Sequence, residues 1–260
     1  MPFYLRAVLS YIYTAKAAIF KGAKFKKFRL KQTKPMSNIL RKRVCFFLKI
    51  AVVLSSLGGV FLSLIFAKGD GYSHWSKRLL YFTAQSNLWV GITFLALLLF
   101  PKRERKLYIL KYVFTVSITV TGLVFCCLLA PFSDDSYHPW SLPNLLTHVL
   151  TPVLAVVDFF LDRRYPLSGK QVLSVVLPLF FYFGFVTLLE LLGADFGRGV
   201  PYPYFFFYYR SPAGIFGFSQ IRPFFMGSFY WLAIFLALTL GLGVLYGRRR
   251  AQKRKKKHTM

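Results

Sequence analysis

Residues 81–100, YFTAQSNLWVGITFLALLLF, form a run of twenty positions without a single charged side chain. A helix rises 1.5 Å per residue, so such a run spans roughly 30 Å, the thickness of the hydrocarbon core of a bilayer. The run therefore predicts a transmembrane helix. Its beginning is unusual, because polar side chains in hydrocarbon are costly. Four of them fall within five positions there: Thr83, Gln85, Ser86 and Asn87.

The rest of the chain contains similar apolar segments. The 260 residues are 56% hydrophobic and include only 8 acidic residues, far too little charge for the surface of a soluble domain of this size. Together the apolar segments predict an all-α, polytopic membrane protein with six transmembrane helices. The expected spans are 44–67, 79–100, 108–131, 142–161, 171–193 and 225–246.

The positive charge is concentrated at the two ends of the chain. The net charge is +27, and 20 of the 35 Lys and Arg residues lie in residues 1–43 and 248–257. The positive-inside rule then predicts that both termini are cytoplasmic, which requires the even number of spans just counted. No RNA- or DNA-binding module accompanies this charge, so the predicted partners are anionic lipid headgroups of the cell (plasma) membrane and not nucleic acid.

Three parts follow from this topology. Residues 1–43 are predicted to be a basic cytoplasmic tail, in which residues 3–20 are a candidate interfacial amphipathic helix. Residues 44–246 would form the six-helix transmembrane domain. Residues 247–260 would be a second basic cytoplasmic tail.

The predicted topology converts sequence position into depth. Thr83 would lie roughly 6 Å inside the outer boundary, with Asn87 one turn deeper, and His148 roughly 9 Å inside it. Asn144 lies one turn above His148, and Glu190 lies about three residues before the outer end of its span. All five polar residues are therefore expected in the outer third of the membrane.

A hydroxyl and an imidazole at the same depth point to nucleophilic catalysis. His148 can accept the proton of Thr83 and later protonate the leaving alcohol, which splits ester cleavage into acylation and deacylation. Asn87 or Asn144 could donate to the oxyanion, and Glu190 could hold the tautomer of His148. A site at this depth meets acyl chains, so a lipid ester is the expected substrate. From spacing alone, Ser86 is an equally available hydroxyl.

Each of these side chains also has a structural explanation. A Thr in a transmembrane helix commonly bonds its own backbone, Asn87 could fix helix packing, His148 could be a structural hydrogen-bonding residue, and Glu190 could be solvated at the interface. Nearer the cytoplasmic boundary, Lys49 and Lys111 are expected to snorkel to the headgroups.

Two further expectations concern charged residues. Asp158 is expected to form an ion pair with Lys49, Lys111 or Arg163. On the outer side, the spacings of the acidic and histidine residues match no ligand motif, so neither a metal site nor another cofactor is predicted. Those residues are Asp70, His74, Asp134, Asp135 and His138.

Three short motifs carry a resemblance to a known family. FTAQSNL at 82–88, NLLTHVLTPVLAVVDFF at 144–160 and PYPYFFF at 201–207 resemble the six-pass androgen-induced and androgen-dependent membrane proteins. Those proteins are transmembrane threonine hydrolases that act on fatty-acid esters of hydroxy fatty acids. The likeness is closer to their bacterial counterparts, the Pr-six-Pr integral membrane family, which share the TxxSN, HxxxP…D and YPY features. It covers roughly residues 44–246.

The resemblance implies particular roles for two residues. The nucleophile of the family falls on Thr83 and its catalytic histidine on His148. The chain departs from the animal hydrolases at residues 85–87, where Gln-Ser-Asn replaces more apolar residues, and its basic tails are longer. The departure at 85–87 leaves the substrate preference open.

A non-enzymatic function remains an alternative. The polar groups could instead line the binding site or pathway of a lipid- or small-solute-binding protein or transporter. A pathway would require polar residues that continue through the inner half of the bundle. The sequence offers few there beyond those of the third span, which favours a closed site. They are Thr115, Ser117, Thr119 and Thr121.

Overall fold

The computed structural model describes residues 37–131, 138–162, 165–197 and 199–258, with side chains as far as Gly247. Six helices among these residues are long and apolar enough to cross a membrane. The described residues form helices and no strand, which confirms the expected all-α class. They are α1 (Asn38–Phe66), α2 (Phe82–Leu99), α3 (Pro101–Leu129), α4 (Leu142–Leu161), α5 (Gly169–Leu191) and α6 (Ser228–His258), whose apolar part is Ser228–Gly247.

Two helices reach into the predicted tails. α1 begins at Asn38 and so includes the last six residues of the expected N-terminal tail. α6 continues through the basic run to His258. The candidate interfacial helix at residues 3–20 lies outside the described residues.

The start of α2 differs from the expectation by three residues. Trp75–Leu80 forms a 3₁₀ helix, and Tyr81 is extended, so the α-helix begins only at Phe82. Thr83 therefore lies in the first turn of α2, where backbone N–H groups have no partner within the helix.

Helices α1 to α4 pack around a fully buried apolar core. Its members are Val52, Val90, Phe94, Ile118 and Ala155. α1 and α2 approach closely at Gly91, where an added Cβ would stand 2.6 Å from the hydroxyl of Ser56. Small residues at such contacts let transmembrane helices pack at short range.

The aromatic loop between α5 and α6 folds into the bundle and does not simply lie on its surface. Its 3₁₀ helix, Phe205–Phe207, buries Phe206 and Phe207 against Tyr182 of α5 and Phe235 of α6. The loop therefore supplies core side chains to the bundle.

Four charged residues form a buried cluster at one end of the bundle. Lys49 Nζ lies 3.1 Å from Asp158 Oδ1, and Lys111 Nζ lies 2.8 Å from Asp162 Oδ2 and also pairs with Asp158. All four side chains are at most 8% exposed. We call this group the ion-pair cluster, and its end of the bundle the ion-pair end.

The expected snorkelling of Lys49 and Lys111 is therefore wrong. Two carboxylates one turn apart on α4 balance the two ammonium groups, which keeps both lysines inside the protein. The expected ion pair of Asp158 is confirmed, with both lysines at once. Asp162, which the sequence placed in a basic connection, completes the cluster.

We expect the ion-pair cluster to dominate stability at its end of the bundle. Asp158→Asn leaves two buried ammonium groups with one carboxylate, which costs about 3–5 kcal/mol and should lower the apparent Tm in detergent by on the order of 10 °C. The matched control is Asp195→Asn, because Asp195 pairs with Lys77 at 3.8 Å but is 42% exposed. That change should shift Tm by only about 1–2 °C. Equal shifts in the two variants would contradict the prediction.

Candidate active site

A cavity of about 350 Å³ opens at the end of the bundle opposite the ion-pair cluster. We call it the polar cavity. Both Thr83 and His148 line it, as the depth argument expected. Its other polar walls come from the connection between α1 and α2, from α4 and from the aromatic loop. They include Tyr72, Arg78, Asn144, Tyr202 and Tyr204.

Thr83 is held by a residue that the sequence did not single out. Its Oγ1 lies 3.2 Å from the hydroxyl of Tyr204, and its backbone N–H donates to the same hydroxyl at 3.3 Å. Among the described residues no hydrogen bond joins Thr83 directly to His148. Catalytic contacts are commonly loose without substrate, so a shared cavity is the relevant geometry.

His148 lies on an irregular turn of α4. Leu145–Leu150 is π-helical, and Pro152 follows, which has no N–H to bond the carbonyl of His148 four residues earlier. The imidazole stacks on Phe125 with ring centroids 4.0 Å apart and an interplanar angle of 8°. Within the described part of the chain its Nδ1 is buried without a hydrogen-bond partner.

Two glycines allow this turn to pack between α1 and α3. A Cβ on Gly122 of α3 would stand 2.9 Å from the carbonyl oxygen of His148, and one on Gly59 of α1 would stand 2.8 Å from Cγ2 of Thr147. Both distances are too short for a real side chain. The backbone of α4 is therefore fixed from two sides where it carries the imidazole.

The other polar residues at the start of α2 point away from the polar cavity. Ser86 is fully buried and bonds the hydroxyl of Thr121 on α3 at 2.9 Å. Asn87 donates to the carbonyls of Thr83 and Thr147 at 2.8 and 3.1 Å. Neither lines the cavity. Of the two candidate nucleophiles, Thr83 and Ser86, only Thr83 therefore lines the polar cavity.

Of the two other candidate supporting residues, Asn144 lines the polar cavity and Glu190 does not. Asn144 lines the polar cavity and donates to the carbonyl of His138 at 3.1 Å. Glu190 is not part of the cavity wall and lies near Tyr209 and Arg210 of the aromatic loop. The described residues therefore show no contact through which Glu190 could orient His148.

Thr83 also borders a second, apolar space. This crevice has a volume of about 40 Å³ and shares Thr83, Leu129 and Tyr204 with the polar cavity. The rest of its lining is almost entirely aliphatic and aromatic, as at Val124 and Phe235. Tyr204 thus lies at the boundary of the two spaces. Apart from the YPY motif, no sequence pattern indicates that Tyr204 lies between the two spaces.

Arg78 provides the cationic wall of the polar cavity. Its guanidinium pairs with Asp70 and lies 4.2 Å above the ring of Tyr72. A wider cavity of about 840 Å³ shares Tyr72 and Asn144 with the lining of the polar cavity. In the aromatic loop, burial and the nearby Tyr208 raise the pKa of Tyr202, so its hydroxyl stays protonated at neutral pH.

No group of three or more His, Cys, Asp or Glu side chains within the described ranges is arranged to hold a metal ion. Two of the acidic residues considered from the sequence, Asp134 and Asp135, lie outside those ranges.

Comparison of the chain with family models, curated proteins and solved structures gives no match. The assignment of a function therefore depends on the residues and the geometry above.

We expect Gly122→Ala to disturb the turn that carries His148. The new methyl would meet the backbone of α4, and overpacking of this kind costs about 1–3 kcal/mol, which should lower the apparent Tm by several degrees. Gly184→Ala is the matched control, since Gly184 is also helical and nothing lies within 4 Å of an added Cβ there. That variant should keep or slightly raise Tm. A Gly122→Ala protein as stable as Gly184→Ala would contradict the close approach.

Proposed function

We propose that this chain is an integral membrane hydrolase that cleaves a lipid (fatty-acid) ester, with Thr83 as the nucleophile and His148 as the general base. One observation carries the proposal: Thr83 and His148 line one cavity, and Thr83 also borders an apolar crevice. The motifs around both residues, which resemble those of the six-pass threonine hydrolases, agree with it. With both basic tails in the cytoplasm, the site would lie in the outer third of the plasma membrane.

The shape of the two spaces suits an ester with one apolar and one polar part. A polar cavity of about 350 Å³ falls in the range of small-molecule sites and can hold the alcohol side of the ester. The crevice is apolar and begins at Thr83, so it can receive the acyl carbons next to the carbonyl. At about 40 Å³ it has room for only the first one or two of them before it must widen.

Both proton transfers in the proposed reaction belong to His148. Thr83 Oγ1 attacks the carbonyl carbon while His148 takes its proton, and the carbonyl electron pair moves to the oxygen. Collapse of this intermediate breaks the bond to the alcohol, which leaves with the proton from His148. Water then attacks the acyl-threonine in the same way and releases the fatty acid.

The surroundings of His148 favour this role over a structural one. A structural histidine in a membrane protein normally bonds a neighbouring helix. Here the ring is held by stacking on Phe125, while Nδ1 has no partner among the described residues. Stacking fixes the plane of the ring and leaves its nitrogens available for proton transfer.

A transporter would need polar or charged residues along a pathway, and the ion-pair cluster supplies charged residues at its end of the bundle. The ion-pair cluster, however, balances its own charge and lines neither the polar cavity nor the apolar crevice. On α3, the hydroxyls of Thr115, Ser117 and Thr121 bond backbone carbonyls one turn earlier. The described contacts therefore favour a closed site.

Purified full-length protein should react with an alkyl fluorophosphonate at Thr83, as located by mass spectrometry. Thr83→Ala should abolish labelling and ester turnover, because the other aliphatic hydroxyls that line the cavity, Ser63 and Thr147, donate to backbone carbonyls of their own helices. His148→Ala should slow both by roughly 10²–10⁴-fold, the range for loss of a general base. Full labelling of Thr83→Ala would refute the nucleophile assignment.

Two variants control this experiment. Ser86→Ala removes a buried hydroxyl one turn away that bonds Thr121, and it should keep labelling near the wild-type rate. Thr83→Ser keeps the nucleophilic oxygen and should retain activity. Loss of labelling in Ser86→Ala but not in Thr83→Ala would transfer the role to Ser86.

A further inference from the structure

We propose that Tyr204 is a third catalytic residue, whose hydroxyl donates to the oxyanion that forms when Thr83 attacks an ester. This inference rests on the proposed function and adds the group that stabilises the developing charge. Ester cleavage requires such a group, since a tetrahedral oxyanion in a low-dielectric site is costly without preorganised donors.

The two asparagines expected in this role are not placed for it. Both N–H bonds of the Asn87 amide are directed at backbone carbonyls, and the residue lies outside the cavity wall. Asn144 lines the cavity, but its amide donates to the carbonyl of His138. Tyr204 is the residue whose polar atom contacts the nucleophile itself, through Oγ1 and the backbone N–H of Thr83.

The aromatic loop holds the Tyr204 ring in a defined place. Tyr204 is extended and directly precedes the 3₁₀ helix Phe205–Phe207. Its ring stacks on Phe206 with centroids 5.0 Å apart and meets the edge of Tyr81 at 5.5 Å. The hydroxyl is thereby carried to Thr83 by a packed scaffold, which is the preorganisation that oxyanion stabilisation requires.

One of the two hydrogen bonds has a fixed direction. The N–H of Thr83 can only donate, so the Tyr204 oxygen accepts that bond. Between the two hydroxyls either oxygen can donate, and when Tyr204 donates to Thr83 Oγ1 the proton of Thr83 is left to point into the cavity that His148 lines. This arrangement prepares Thr83 to lose its proton to the imidazole.

The same donors can follow the charge during the reaction. As Oγ1 bonds to the carbonyl carbon, negative charge moves to the carbonyl oxygen, which is then adjacent to Oγ1. The Tyr204 O–H shifts its hydrogen bond from Oγ1 to this oxygen, and the Thr83 N–H, in the first turn of α2, is the second donor. Tyr204 keeps its proton throughout. When the carbonyl re-forms, the hydrogen bonds from the Tyr204 O–H and the Thr83 N–H to the carbonyl oxygen weaken.

The test compares two tyrosines of the aromatic loop whose hydroxyls each bond a threonine. Tyr204→Phe keeps the ring and removes the hydroxyl, and it should lower kcat by roughly 10²–10³-fold with little change in KM, as for loss of one oxyanion donor. The rate of fluorophosphonate labelling should fall with kcat, because the phosphoryl oxygen takes the oxyanion position. Tyr209→Phe is the control, since the Tyr209 hydroxyl lies 2.7 Å from that of Thr187 and the residue lines neither the polar cavity nor the apolar crevice.

The outcomes separate this inference from the proposed function. Unchanged kcat and labelling in Tyr204→Phe, with Thr83→Ala inactive, would overturn the role of Tyr204 and leave the hydrolase intact. Equal losses in Tyr204→Phe and Tyr209→Phe, or a lower apparent Tm in Tyr204→Phe alone, would assign Tyr204 a structural role and also overturn the inference. If wild-type protein neither labels nor turns over esters, the proposed function fails and the role of Tyr204 fails with it.

Discussion

Hydrocarbon contains no water, so polar groups inside a bundle of membrane-spanning helices are costly unless the protein itself supplies their partners. The ion-pair cluster shows the strength of this constraint. Each of two ammonium groups lies within 4 Å of both carboxylates, which ties α1, α3 and α4 together at one end. Lys49 and Lys111 lie in the first halves of α1 and α3, and Asp158 lies near the end of α4. These contacts fix the relative directions of the three helices.

The same constraint explains the polar residues at the start of α2. Ser86 and Asn87 each bond a neighbouring helix, at Thr121 and at the carbonyl of Thr147. They join α2 to α3 and α4 beside the cavity, so the polar stretch is a set of helix contacts with one residue, Thr83, left at its edge. The hydroxyl of Thr83 contacts a loop tyrosine and lines the polar cavity, whereas the side chains of Ser86 and Asn87 bond other helices.

Length and composition were sufficient to predict six long apolar helices, because twenty apolar residues in a row have few other stable structures. Depth along those spans was sufficient to bring Thr83 and His148 to one level. The partners of these residues were not predictable in this way. Tyr204 lies in a loop whose path depends on where Phe206 and Phe207 are buried, and the turn of His148 depends on Gly122 of another helix. Such contacts arise from packing and have no sequence period.

The environment of the charged residues cannot be predicted from each span taken separately. Lys49 and Lys111 are long enough to reach the headgroups, so each taken alone is expected to snorkel. The structure instead places two carboxylates, one turn apart, on the facing side of α4. Asp162 falls at the end of its helix, where its sequence neighbours are basic, and only the fold shows that it faces inward. At both ends of the bundle, therefore, the decisive partner comes from a different helix or loop, and α4 takes part in each. Its last turn and the residue that follows it supply the carboxylates of the ion-pair cluster, and its first turns carry His148, so α4 is the element common to both ends.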